Sequence, residues 1–78
     1  MTARDSVLAA ARRLSATSND ETFTIEDVLA LLREEGTPYA ASTIRTHVSS
    51  RMCANAPDHH AVVYRDLVRV GDGRYRLA

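Results

Sequence analysis

The sequence predicts an α+β fold in which three helices are followed by a β-hairpin. Three observations carry this prediction: amphipathic periodicity in residues 1–36, a second apolar stripe after Pro38, and a Gly-Asp-Gly turn between two β-prone runs near the end. A chain of 78 residues suffices for one small core. We therefore expect a single domain spanning residues 1–78.

The first helix is predicted near residues 3–16. Val7, Ala11 and Leu14 share one face of this segment, and charged residues lie opposite. Three successive alanines raise its helix propensity. The polar run SATSNDE over residues 15–21 ends the helix.

A short strand and a second helix are predicted next. Residues 22–24 (TFT) are β-prone and can pair with a later hairpin. Thr24 suits an N-cap, and Asp27 stands three residues later in the position of a capping box. The predicted inward stripe consists of four apolar residues: Ile25, Val28, Leu29 and Leu32. Gly36 is the expected residue after the end of the helix.

The third helix is predicted over residues 40–53, after a turn at Thr37-Pro38-Tyr39. Ile44, Val48 and Met52 recur every four residues, so we expect them to face the core. Alternation in the following hairpin, residues 67–77, predicts four residues toward the core: Val68, Val70, Tyr75 and Leu77.

The outer face of the third helix is the best candidate site in the sequence. It carries five small hydroxyl residues and no acid: Ser42, Thr43, Thr46, Ser49 and Ser50. Arg45 lies on its flank, whereas Arg51 falls on the inward side of the helical wheel. A helix that enters the major groove needs such a face, because phosphate repels carboxylates. The hairpin adds three arginines that we expect to be exposed: Arg69, Arg74 and Arg76.

Charge is distributed unevenly along a chain whose formal net charge is zero. Residues 1–36 carry four Arg and seven acids, and residues 37–78 carry six Arg and three Asp. The two halves therefore have net charges of −3 and +3. We expect a molecule whose positive side lies on the third helix and the hairpin.

Several other classes of protein are excluded or disfavoured. No apolar run approaches the length of a membrane span, and the start lacks a signal-peptide core, so we expect a cytoplasmic protein. A zinc-binding site is suggested by four residues: Cys53, His47, His59 and His60. The paired spacing that is typical of zinc ligands is missing, however. The chain also lacks the motifs of nucleophilic or phosphate-binding catalysis. We predict no metal, no cofactor and no enzymatic activity.

The chain resembles winged helix-turn-helix domains throughout its length, on the segments FTIEDVLALLREEG, STIRTHVSSRM and RVGDGRYRL. It is similar to small bacterial winged-helix domains, some of them associated with restriction-like or modified-DNA-binding proteins. The resemblance implies that five residues contact the major groove: Ser42, Thr43, Arg45, Thr46 and Ser49. It also implies that Arg69, Arg74 and Arg76 hold phosphate or an adjacent minor groove.

The functional hypothesis is therefore a module that binds double-stranded DNA, including DNA that carries 5-methylcytosine. Tyr39 and Arg51 are further candidates for contact with DNA. The alternative is a protein-interaction or dimerisation module, with Leu31 as the anchor for a homodimer or a larger partner domain. A third hypothesis is a targeting domain within a larger restriction or regulatory protein.

Overall fold

The computed structural model describes residues 2–55 and 64–78 of the chain. Its elements, in chain order, are α1 (Ala3–Thr17), β1 (Thr22–Thr24), α2 (Ile25–Glu34), α3 (Ala41–Thr46), a π-helical turn (His47–Arg51), β2 (Leu67–Gly71) and β3 (Arg74–Leu77). The predicted α+β class is confirmed, and the arrangement is consistent with a winged helix. No helix within the described ranges is long and apolar enough to cross a membrane.

Local signals set the ends of α2 as the sequence predicts. The Thr24 amide donates to Asp27 Oδ2 at 2.9 Å, and the Asp27 amide donates to Thr24 Oγ1 at 3.1 Å. This reciprocal capping box starts α2. Gly36 follows the last turn with a φ of +75°, a left-handed conformation that favours glycine.

The sheet has the strand order β1-β3-β2, and both pairings are antiparallel. Phe23 of β1 lies opposite Tyr75 of β3, which confirms that the short strand pairs with the hairpin. Leu67 begins β2 and is fully buried. The face that carries these residues packs against α1, so the core lies between the helices and one side of the sheet.

The outer edge of β2 is covered by the chain that follows the π turn. The Leu67 amide donates to the Met52 carbonyl at 2.8 Å, and the Ala54 amide donates to the Leu67 carbonyl at 2.7 Å. The Asn55 side chain then exchanges two 3.0 Å hydrogen bonds with the Arg69 backbone. Side-chain and backbone groups together satisfy this edge, which would otherwise be open to another chain.

The predicted core is largely confirmed. The stripe of the third helix is buried, since Ile44, Val48 and Met52 have at most 2% exposure. Two predictions about apolar residues of β2 were wrong, those that placed Val68 and Val70 toward the core. The strand β2 starts with buried Leu67, so its alternation is one residue out of step with the prediction and Val68 lies opposite outward-facing Arg76. Val70, beside a bulge between Arg69 and Gly71, is 47% exposed. Leu31, the candidate anchor for a partner, is partly buried and packs against the core.

Two ion pairs join α1 to distant parts of the chain. Arg4 donates from Nε and Nη2 to the two carboxylate oxygens of Asp66, at 2.8 and 3.0 Å, and lies 3.9 Å above the Tyr64 ring. The hydrogen bond to Asp66 raises the pKa of Arg4 above its ordinary value. Arg13 pairs with Glu35, an acid that the α2 dipole disfavours at that end.

Candidate nucleic-acid interface

The third helix changes its geometry halfway along. Residues Ala41–Thr46 are α-helical, and residues His47–Arg51 form the π turn. The Met52 amide donates to the His47 carbonyl at 2.8 Å, five residues earlier, which is the hydrogen bond of a π-helix. This wider turn keeps Val48 and Met52 aligned toward the core and rotates Arg51 away from them.

The rotation corrects the prediction that Arg51 lies on the inward side. Its side chain is exposed and lines an open depression of about 390 Å³ with four neighbours. We call the lining residues the α3 face: Ser42, Thr43, Thr46, His47 and Arg51. No carboxylate belongs to this face. Three residues predicted for DNA contact (Ser42, Thr43 and Thr46) are thus brought together with Arg51.

Two hydroxyl groups of the helix are directed at its own backbone. Thr46 Oγ1 donates to the Ser42 carbonyl at 3.0 Å, and Ser49 Oγ donates to the Arg45 carbonyl at 2.7 Å. Their hydroxyl protons are therefore engaged. Ser49 does not line the depression. Thr46 keeps its methyl group as an apolar contact.

His47 is a member of the α3 face that the sequence suggested only as a possible zinc ligand. Its Nδ1 lies 2.8 Å from the Thr43 carbonyl. A carbonyl oxygen can only accept, so Nδ1 carries the proton and the neutral ring keeps Nε2 as an acceptor. The spacing of four residues between Thr43 and His47, continued to Arg51, is the signal that could have identified it.

Arg45 and Arg69, two of the predicted DNA contacts, are paired with acids of the protein itself. Arg45 Nη2 lies 2.8 Å from Glu26 Oε2, which brings a carboxylate from α2 to the flank of α3. Arg69 Nη2 lies 3.4 Å from Asp72 Oδ1, and its Nε donates to the Gly71 carbonyl. All of these side chains are exposed, so both pairs are weak and can be exchanged for another anion.

Arg74 and Arg76, which we call the hairpin arginines, are exposed as predicted and form no ion pair with a described carboxylate. They alternate with buried Tyr75 on β3, and therefore share the outer side of the sheet. Arg74 Nη1 donates to Thr22 Oγ1 at 3.0 Å. Arg69 lies opposite Tyr75 in the register and so does not share their face.

Tyr39 lies apart from these groups. Its side chain is half-buried and packs against the core, and its amide donates to Thr37 Oγ1 at 3.3 Å. Tyr39, a further candidate for contact with DNA, is therefore a residue that packs at the turn before α3.

The possible zinc ligands are not assembled in the part of the chain that the structure describes. Within those residues, no three His, Cys, Asp or Glu side chains are grouped in a way that could hold a metal ion. Cys53 is buried, and its thiol donates to Asn55 Oδ1 at 3.1 Å. His59 and His60 lie outside the described residues.

Comparison with known proteins indicates a family without an assigned activity. No curated protein and no solved structure matches the chain. One family model matches residues 2–77, which is nearly the whole sequence. The protein therefore belongs to the family described as "Domain of unknown function (DUF7669)".

Proposed function

We propose that the protein binds double-stranded DNA, with the α3 face in the major groove and the hairpin arginines on the phosphate backbone. The observation that carries the proposal is the position of Arg51. The π turn places a guanidinium group among small polar side chains, on an open surface without a carboxylate.

The α3 face offers complementary hydrogen-bonding groups for base edges. Arg51 forms no ion pair with a described residue, so its planar fork is available for guanine O6 and N7. His47 Nε2 can accept from the amino group of cytosine or adenine. A good bidentate contact between arginine and guanine discriminates against the wrong base by about 1–3 kcal/mol.

Thr43 and Thr46 extend the proposal to modified DNA. The Thr46 hydroxyl donates to the helix backbone, so its methyl group is the part that can contact a base. A threonine methyl packs against the methyl group of thymine. The methyl group of 5-methylcytosine also lies in the major groove and presents the same apolar contact. We therefore propose that DNA carrying 5-methylcytosine is a preferred ligand.

Fluorescence anisotropy with two matched CG-containing duplexes tests this function. One duplex is unmodified and the other carries 5-methylcytosine, and each is titrated at about 50 and 200 mM salt. We expect binding to both, with tighter binding to the methylated duplex at both salt concentrations. Equal affinities would remove the preference for methylation, and no binding to either would favour a protein-interaction module.

A pair of variants tests the site. Arg51→Ala should weaken binding to the preferred duplex by about tenfold, corresponding to about 1.4 kcal/mol. Arg12→Ala is the matched control, since Arg12 is an exposed arginine of α1 without a described acidic partner. Equal effects of the two substitutions would show that Arg51 contributes charge only.

A further inference from the structure

We propose that Glu26 of α2 is a selectivity residue, whose carboxylate restrains Arg45 and weakens binding to the phosphate backbone of any sequence. This inference depends on the proposed DNA binding. It adds a residue from a helix that lies outside the α3 face, and it gives the Arg45–Glu26 ion pair a function.

The geometry places the Glu26 carboxylate beside α3. Glu26 Oε2 lies 2.8 Å from Arg45 Nη2, and the two side chains are 69% and 51% exposed. An exposed pair of this kind contributes little to stability. The pair is therefore better suited to influence which anion Arg45 can bind than to hold α2 against α3.

Glu26 also lies close in sequence to the hairpin pairing. It is the second residue of α2, which starts directly after β1, and Thr24 at the end of β1 is opposite Arg74 of β3. Among the described acids, Glu26 is the one that forms an ion pair with α3.

A phosphate group and a guanine base interact differently with the Arg45–Glu26 ion pair. A phosphate group that approaches Arg45 is repelled by the Glu26 carboxylate and must replace it. A guanine edge carries no net charge, and Arg45 has five N–H donors, of which the Glu26 contact engages one nitrogen. The remaining donors can contact O6 and N7 while Glu26 stays in place. Glu26 therefore opposes backbone contact more strongly than base contact.

The test is the affinity of Glu26→Gln for a short duplex of random sequence, measured by anisotropy as a function of salt. The substitution releases Arg45 to act as one additional phosphate contact. One contact steepens the slope of log K against log salt by about 0.9, which is a gain of about eightfold in affinity at 0.1 M salt. Glu34→Gln is the matched control, since it removes the same charge from an exposed position of α2 that has no described ion pair.

The same measurement in an Arg45→Ala background separates a specific effect from a general one. We expect the gain of Glu26→Gln to disappear there, because it acts through Arg45. A gain that persists without Arg45, or one that Glu34→Gln reproduces, would overturn the role of Glu26 while leaving DNA binding intact. If the wild-type protein binds no duplex at either salt concentration, both this role and the proposed function fail.

Discussion

Replacing Arg74 and Arg76 together with alanine should flatten the salt dependence of DNA binding. Both side chains lie on the outer side of β3, and neither is neutralised by a described carboxylate. Their charges are therefore available to phosphate. The hydrogen bond from Arg74 to Thr22 is exposed, and its loss should cost roughly 0.5–1 kcal/mol of stability. We expect the variant to remain folded.

The magnitude follows from the number of charges removed. Each phosphate neutralised on duplex DNA contributes about 0.9 to the slope of log K against log salt, so two contacts contribute about 1.8. Between about 50 and 200 mM salt, this difference corresponds to a factor of about twelve in affinity. The fold-loss in affinity over this salt range should therefore be about twelve times larger for the wild-type protein than for the double variant.

The assay is anisotropy with one duplex at several salt concentrations, and Arg69→Ala provides a control from the same hairpin. Asp72 already partly neutralises Arg69, so this substitution should change the slope by clearly less than one contact. An unchanged slope in the double variant would refute the assignment of backbone contacts to the hairpin. If Arg69→Ala changed the salt slope as much as each arginine of the double variant does, ion pairing with Asp72 would not reduce the contribution of Arg69 to DNA binding.

Three further predictions concern stability. Phe23→Ala should cost about 3–5 kcal/mol, because the ring is 1% exposed, and thermal unfolding near the wild-type temperature would contradict this. Gly36→Ala should lower the free energy of unfolding in urea by roughly 1 kcal/mol, because its φ is +75°, and an unchanged midpoint would argue against strain there. Hydrogen bonds from the side chain and backbone of Thr22 lower the pKa of Asp20 from 3.8 to about 2. The charged carboxylate therefore stabilises the fold above pH 4 and loses this effect as the pH falls toward 2. Asp20→Asn should accordingly lower the melting temperature at pH 7, and the difference from wild type should shrink toward pH 2; a constant difference would contradict the linkage.

Local chemistry in the sequence was sufficient to predict the order of elements. The Thr24–Asp27 capping box, Gly36 and the Gly-Asp-Gly turn each act over a few residues, so their effects do not depend on distant contacts. The stripe of the third helix was likewise predictable, since a spacing of four residues holds for both α and π geometry. These signals also indicated that β1 pairs with the later hairpin.

The face of Arg51 could not be predicted by a helical wheel. The wheel assumes one turn geometry, and the π turn over His47–Arg51 departs from it. In β2, the pairing of buried Leu67 with Leu77 sets an alternation that is one residue out of step with the predicted one, and a bulge follows, so Val68 and Val70 do not face the core. In both cases the pairing of backbone groups changed, and a periodic pattern of side chains does not record that change.

The sequence by itself determined the α+β class, the ends of α2, most of the core and the candidate surface. Tertiary structure alone decided that Arg45 is paired with an acid of another helix and that Arg51 is not. Arg45 meets Glu26 across 19 positions of the chain, whereas Arg51 and the hairpin arginines meet no described acid. Such pairs form only when packing brings separate elements within a few ångströms, because Coulomb attraction in water is weak beyond that distance. The charge available to a ligand is therefore a property of the folded chain.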